Sequence, residues 1–195
     1  MHYEQCTALF DVLRLELEGK SYVGSNQFVY WDATNPKLCL SPDIMVRIGA
    51  SDQPLPCLKV WEFGAPDLAV EIISRSDAGS LAWDLKLLRY RAAGVAELVR
   101  FDPEDRETPL RIWDRIEDDL VERDPSHSHA RYSDVLELWW QAMPDARLGQ
   151  QLRLARDAAG KEILLSSRER LEAASVAKEA ALARIAELEA QLSMR

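Results

Sequence analysis

The run Leu68-Ala69-Val70-Glu71-Ile72-Ile73 constrains the fold of this chain more than any other segment. Its residues are apolar apart from Glu71, so the run lacks the alternation of a strand that has one solvated face. It therefore predicts an inner strand that is covered on both faces, as in α/β proteins. A carboxylate in such a strand is costly to bury unless a cation or hydrogen-bond donors accompany it.

A helix and a second strand follow this run. The segment from about Ser80 to Ala93 has helical spacing, and Gly94 suits the position after a helix C-terminus. The strand VAELVRF comes directly afterwards, so strand, helix and strand form a βαβ-like unit of an α/β domain. The apolar residues expected on the core face of this helix are Leu81, Leu85, Leu88 and Ala92.

Two segments extend the predicted domain toward the N-terminus. Ile44-Met45-Val46 follows Ser41-Pro42-Asp43, which predicts an inner strand entered through a proline turn. Between His2 and Glu18, apolar residues recur at three- and four-residue spacing, which indicates a helix with one buried stripe. Gly19 suits the end of that helix. The stripe consists of Ala8, Leu9, Val12, Leu13 and Leu17.

Composition excludes several classes of protein. No run of eighteen apolar residues is present, and the N-terminal MHYEQCTALF lacks a basic segment before an apolar one, so we expect a cytoplasmic protein without membrane association. The three cysteines are widely spaced and lack a CxxC pair, which argues against a disulfide framework or a zinc knuckle. The net charge of -9 argues against a protein that coats DNA. The three histidines receive no role.

Three residues could supply a metal-dependent phosphodiesterase site. Cleavage of a phosphodiester needs carboxylates that hold a hard divalent ion and a cation that orients water or stabilises negative charge. Asp43 stands at the start of one strand, Glu71 lies inside the next inner strand, and Lys86 shares a helix face with Trp83 and Tyr90. Each also has an ordinary structural interpretation: Asp43 in a turn, Lys86 solvated and the two aromatic residues in the core.

The motifs SPDIMV, PDLAVEIIS and WDLKLLRYRAAGVAELVRFDP resemble the Uma-type "putative restriction endonuclease" family, a branch of the PD-(D/E)xK nuclease-like superfamily. The resemblance covers about residues 3–165. It implies a restriction-endonuclease-like mixed central sheet flanked by helices, with Mg²⁺ or Mn²⁺ bound by Asp43 and Glu71. In the superfamily a lysine follows the glutamate by two residues, where this chain has Ile73. Members of this branch often carry the lysine on the next helix, which Lys86 matches, and an aspartate four residues earlier, where this chain has Ala82.

The resemblance implies a divalent-metal-dependent endonuclease that hydrolyses nucleic-acid phosphodiesters, with DNA as the expected substrate. Asp43, Glu71 and Lys86 are the expected catalytic residues. The alternative is a catalytically silent binding or assembly module of the same fold, which Ile73, Ala82 and the acidic net charge favour. His2 matches a histidine that is often seen in the first helix of the family.

The last thirty residues predict a separate helical tail, so the expected domains are residues 1–165 and 166–195. Ser166 and Glu169 form a capping-box pattern. Heptad positions counted from Leu171 predict a coiled coil that makes the protein a homodimer or a higher oligomer. The alternative is an isolated alanine-rich helix supported by helix propensity and charge pairs. The two expected core positions are occupied by Leu171, Lys178, Ile185 and Leu192, and by Ala174, Ala181 and Leu188.

Overall fold

The computed structural model describes residues 2–51, 53–74, 82–147 and 149–193. The chain divides into two compact units, Met1–Leu164 and Leu165–Arg195. The elements of the first unit are α1 (His2–Glu16), β1 (Ser21–Ser25), β2 (Val29–Tyr30), β3 (Cys39–Leu40), β4 (Ile44–Ile48), β5 (Leu58–Lys59), α2 (Val60–Phe63), β6 (Leu68–Ile72), α3 (Trp83–Ala93), β7 (Glu97–Phe101), β8 (Leu110–Ile116), β9 (Asp119–Glu122), β10 (Tyr132–Ser133), β11 (Leu138–Asp145) and β12 (Gly149–Ala155).

A six-stranded mixed sheet with the order β1-β4-β6-β7-β8-β9 forms the centre of this unit. Neighbouring strands are antiparallel except for β6 and β7, which are parallel. The connection between these two strands contains α3, so the predicted strand, helix and strand unit is present. The α/β fold class with a mixed central sheet is confirmed.

Strand β6 is covered on both faces, as its apolar sequence predicts. All five of its residues are buried. Leu68, Val70 and Ile72 pack in the large core with α1. The predicted stripe of α1 is buried from Leu9 to Leu17, and its first member, Ala8, is half-buried. Ala69 packs on the other face with residues of α3. The alternation of side chains along a strand places Glu71 on the same face as Ala69, toward α3.

The predicted core face of α3 is wrong. Leu85 and Leu88 are 45% and 55% exposed, Ala92 is also exposed, and Leu81 lies outside the described residues. The helix instead turns Tyr90 inward, together with the half-buried Trp83, which packs against Trp113 in a tilted arrangement with ring centroids 5.3 Å apart. Aromatic rings bury more apolar area than leucine does, so the aromatic stripe packs on the sheet in preference to the leucine stripe. This orientation also directs Lys86 inward.

Two small sheets complete the first unit. Strands β10, β11 and β12 form an antiparallel sheet whose apolar residues join the core with α1. The other sheet has the order β3-β2-β5. All three cysteines have free thiols. Within the described ranges, no helix has both the length and the hydropathy needed to cross a bilayer.

The second unit contains one helix, α4 (Ser167–Ser193). Its start is the predicted capping box: the Ser166 backbone N–H donates to Glu169 Oε2 at 2.8 Å, and the Glu169 N–H faces Ser166 Oγ at 3.3 Å. Ion pairs join Arg168 to Glu172 and Arg184 to Glu187 along the helix. The helix itself is therefore as expected, and its association into a coiled coil stays a prediction.

Candidate active site

Glu71 lies in β6 and contacts two polar side chains of α3. Lys86 Nζ donates to Glu71 Oε2 at 2.9 Å, and the Tyr90 hydroxyl donates to Oε1 at 2.5 Å. Lys86 and Tyr90 are one helical turn apart, so both reach the same strand residue. Glu71 and Tyr90 are 5% and 1% exposed, whereas the Lys86 side chain retains 21% of its exposure. The contact therefore extends from the protein interior to solvent through the lysine.

Burial dominates the electrostatics of this contact. It raises the pKa of the Glu71 carboxyl, because a charged group is poorly solvated in the protein interior. Lys86 and the Tyr90 hydroxyl oppose that shift in the pKa, and the negative charge of Asp43 adds to it. The pKa of Tyr90 is raised well above its ordinary value by its own burial and by Glu71, so its hydroxyl is a donor at neutral pH. The buried carboxylate is thus matched to a cation.

Asp43 lies at the residue before β4, close to Glu71. The antiparallel register pairs Ile44 with Val70, and one further step would set Asp43 opposite Glu71. The Ile72 backbone N–H donates to Asp43 Oδ2 at 2.7 Å, which fixes the carboxylate against β6. Asp43 is 7% exposed. The Asp43 and Glu71 carboxylates are both buried, and Glu71 lies against a lysine. Together they offer the oxygen ligands that a hard divalent ion requires.

A histidine and a cysteine of α1 also reach Asp43. His2 Nε2 lies 3.2 Å from Asp43 Oδ2, and Cys6 Sγ lies 3.6 Å from His2 Nε2. His2 and Cys6 are four residues apart on the helix and so share one face. Burial and the negative charge of Asp43 raise the pKa of the Cys6 thiol to about 12. Glu71 is not a member of this group, whose ligand atoms all lie within 4.8 Å of one another.

The two positions that depart from the expected superfamily pattern lie just after β6 and at the start of α3. The Ile73 backbone N–H donates to the Phe101 carbonyl at 2.8 Å and so continues the pairing of β6 with β7. Ala82 stands at the N-cap of α3 without a side-chain cap. Ile73 has no charged group, so the cation beside Glu71 is supplied by Lys86 of α3.

A third buried carboxylate, Glu97 in β7, is paired with Arg123. Arg123 donates to Glu97 Oε2 at 3.0 Å and to both oxygens of Asp114 at 2.6 Å. Trp140 Nε1 lies 3.3 Å from Glu97 Oε1. Burial nevertheless raises the pKa of Glu97. This cluster joins the central sheet to the segment of β10 and β11, which is a structural role.

The sequence predicts Asp43, Glu71 and Lys86 as site residues and assigns no role to His2 or Cys6. His2 lies far from His127 and His129 in sequence, and no sequence signal relates α1 to the start of β4. The i, i+4 spacing of His2 and Cys6 was the available clue. The sequence places Tyr90 beside Lys86 only as an aromatic neighbour, whereas in the structure its hydroxyl also donates to the Glu71 carboxylate.

One family model and one solved structure are similar to this chain. The model of the Uma2 family, described as "Putative restriction endonuclease", matches residues 1–143. A solved structure described as "a putative nuclease belonging to DUF820" from Anabaena variabilis is similar at 13% identity, with 76% of this chain and 73% of that chain covered and a TM-score of 0.46. No curated protein matches the chain.

Proposed function

Because the chain belongs to the Uma2 family of "putative restriction endonucleases", we propose that it is a nuclease that hydrolyses DNA phosphodiester bonds with a divalent metal ion. Asp43 and Glu71 hold Mg²⁺ or Mn²⁺, and Lys86 acts at the scissile phosphate. The observation that carries the proposal is the contact of Lys86 Nζ with the buried Glu71 Oε2 at 2.9 Å. Glu71 lies in β6, which pairs with the strand that follows Asp43.

The donor set fits a hard ion. Each carboxylate oxygen can accept two bonds, so Glu71 keeps acceptor capacity after Lys86 and Tyr90 have each taken one. Burial raises the pKa of Glu71 because its negative charge is poorly solvated. The positive charge of a bound divalent ion would stabilise that negative charge and lower the pKa again. When bound, a divalent ion would supply Lewis-acid polarisation of the phosphate and a more acidic water.

The protein residues have separate roles in this proposal. The Ile72 N–H and the Tyr90 hydroxyl keep the Asp43 and Glu71 carboxylates in fixed positions. Lys86 keeps its ammonium beside Glu71 and partly in solvent, where it orients the attacking water and stabilises negative charge on the phosphate oxygens. Tyr90 is a positioning residue, because it acts through Glu71.

Cleavage of supercoiled plasmid DNA tests the proposal. The protein should nick or linearise the plasmid with Mg²⁺ or Mn²⁺, cleave poorly with Ca²⁺, and be inactive with a chelator. Lys86→Met should lower the cleavage rate by at least about a hundredfold, as expected for a group that orients water or transfers a proton. Lys59→Met is the matched control, because Lys59 also pairs with a glutamate at 2.9 Å, in an exposed position. Equal rates for Lys86→Met and the wild-type protein would remove Lys86 from the mechanism.

A catalytically silent assembly module is the second candidate function. Ile73, at the superfamily's lysine position, favours it, because the cation of the site then depends on a separate helix. Calorimetric titration with Mn²⁺ separates the two candidates. A nuclease should bind the ion at Glu71, so that Glu71→Gln reduces the binding, whereas a silent module should show no loss of binding in Glu71→Gln and should leave every DNA substrate intact.

We also propose that α4 joins copies of this chain into a homodimer or a higher oligomer. Its exposed apolar residues include Leu171 and Leu192, which are 72% and 71% exposed, and Ile185, which is 52% exposed. At about 3.6 residues per turn, these three residues lie on one side of the helix. A second copy of the same helix would cover that side through knobs-into-holes packing.

The oligomeric state should depend on Ile185. Ile185→Glu places a charge in the apolar seam, so we expect light scattering to give the mass of one chain, against the mass of two or more chains for the wild-type protein. Val176→Glu is the matched control, since Val176 is 67% exposed but lies off the heptad positions. A wild-type mass of one chain at every concentration would contradict the proposal.

A further inference from the structure

His2, Cys6 and Asp43 form a compact group of three different ligand types. One imidazole nitrogen, one thiol sulfur and one carboxylate oxygen lie within 4.8 Å of one another. The residues come from the start of α1 and from the entry to β4, which are 41 residues apart for His2 and Asp43. Cys6 and Asp43 are buried, and the His2 side chain is 34% exposed.

The spacing of these atoms matches a shared tetrahedral ion. Zinc binds nitrogen and oxygen at about 2.0 Å and sulfur at about 2.3 Å, so two ligand atoms of one tetrahedral zinc lie roughly 3.3 to 3.6 Å apart. The observed separations are 3.2 Å between His2 Nε2 and Asp43 Oδ2, and 3.6 Å between Cys6 Sγ and His2 Nε2. The third separation, between Cys6 Sγ and the Asp43 oxygen, is at most 4.8 Å, so this pair would need to close by roughly 1 Å at most for the three side chains to surround one ion.

The chemistry of the group selects the kind of metal. Thiolate and imidazole ligands favour zinc and the neighbouring transition metals, whereas Mg²⁺ prefers oxygen ligands and keeps its waters. Three protein ligands leave one tetrahedral position for a water molecule or another group. On binding, the metal displaces the thiol proton of Cys6 to the buffer, and the thiolate and the Asp43 carboxylate together balance the two positive charges.

We propose that His2, Cys6 and Asp43 form a binding site for a divalent transition metal of the zinc type, which shares Asp43 with the hard-ion site but takes its other two ligands from α1. Binding at this site needs no nuclease activity. Because both sites use Asp43, the transition metal and Mg²⁺ compete for the protein, and this competition alone rests on the proposed function.

Titration of the untagged, metal-free protein with Co²⁺ tests the site, because a cobalt ion bound to thiolate gives a charge-transfer absorption band. The wild-type protein should show the band, and an equivalent of Zn²⁺ should abolish it. Cys6→Ser should lose the band. Cys39→Ser and Cys57→Ser should retain it, since these free thiols lie outside the group. A wild-type protein without the band, or a band that persists in Cys6→Ser, would overturn the proposal.

Two further variants separate this test from folding and from catalysis. His2→Gln changes a partly exposed residue at the start of α1 and should lower the affinity for Co²⁺ by at least about tenfold. Even residues that only hydrogen-bond to a metal ligand change metal affinity by that much when they are replaced. Glu71→Gln removes a carboxylate of the proposed nuclease centre but none of the three ligands, so it should keep the cobalt band. An unchanged affinity in His2→Gln, or loss of the band in Glu71→Gln, would contradict the assigned ligand set.

Discussion

Replacing Glu71 with glutamine should lower the rate of metal-dependent DNA cleavage by at least about a thousandfold and leave the protein folded. The amide keeps the shape of the side chain but removes the negative charge that the proposed metal ion requires. Metal ions contribute several kcal/mol to phosphoryl transfer, and each 1.36 kcal/mol corresponds to a tenfold change in rate. Single-turnover cleavage of plasmid DNA with Mg²⁺ measures the loss.

The same substitution should change the free energy of unfolding by less than about 1 kcal/mol, because two effects oppose each other. Burial disfavours the Glu71 charge, so a neutral amide is less costly in this position. The loss of the Lys86 ion pair acts in the other direction, and that effect is limited because the lysine side chain is partly exposed and its ammonium can reach water. Urea unfolding measures the difference.

Glu62→Gln is the matched control for both measurements. Glu62 accepts a bond from Lys59 at 2.9 Å, as Glu71 does from Lys86, but its side chain is 43% exposed. The control should cleave at the wild-type rate. Native cleavage by Glu71→Gln would show that the metal site is elsewhere, and an unfolded variant would show that Glu71 is a structural residue.

The sequence predicted the part of the fold that depends on local pattern. The apolar run of β6, the C-cap at Gly94 and the capping box at Ser166 each determine their own element, and all three appear in the structure. The pairing of Glu71 with Lys86 was also within reach, because a buried charge requires a partner and the next helix offered one. The family resemblance selected that lysine.

The remainder depended on tertiary contacts. Helix α3 has two apolar stripes, and only the sheet beneath it, with Trp113 available for stacking, decides that Trp83 and Tyr90 face inward rather than Leu85 and Leu88. The approach of His2 to Asp43 likewise depends on how α1 crosses the sheet, which no local pattern records. Residues brought together from distant segments are therefore the ones that the sequence alone did not reveal.

Replacing Arg123 with methionine should destabilise the protein by about 3–5 kcal/mol, the usual result of leaving a buried charge without its partner. Arg123 joins Glu97 and Asp114, and the side chains of Arg123 and Glu97 are 12% and 2% exposed. Methionine preserves much of the aliphatic stem and removes the charge. Arg111→Met is the control, because the pair of Arg111 and Glu122 is exposed by 39% and 34% and should contribute less than about 1 kcal/mol.

The loss should depend on pH with a definite sign. Burial already raises the pKa of Glu97 above that of an unfolded glutamate, so its contribution to stability is fully present below the unfolded pKa and is lost as the pH rises through the folded pKa. Without Arg123 the folded pKa rises further. Urea unfolding should therefore show the smallest difference between Arg123→Met and the wild-type protein in acid and a larger one near neutral pH.

Glu97→Gln added to Arg123→Met should recover part of the stability at neutral pH, because the amide carries no charge. A loss that is independent of pH, or a double variant less stable than Arg123→Met, would contradict this account and would point to the contact of Arg123 with the Tyr132 carbonyl instead.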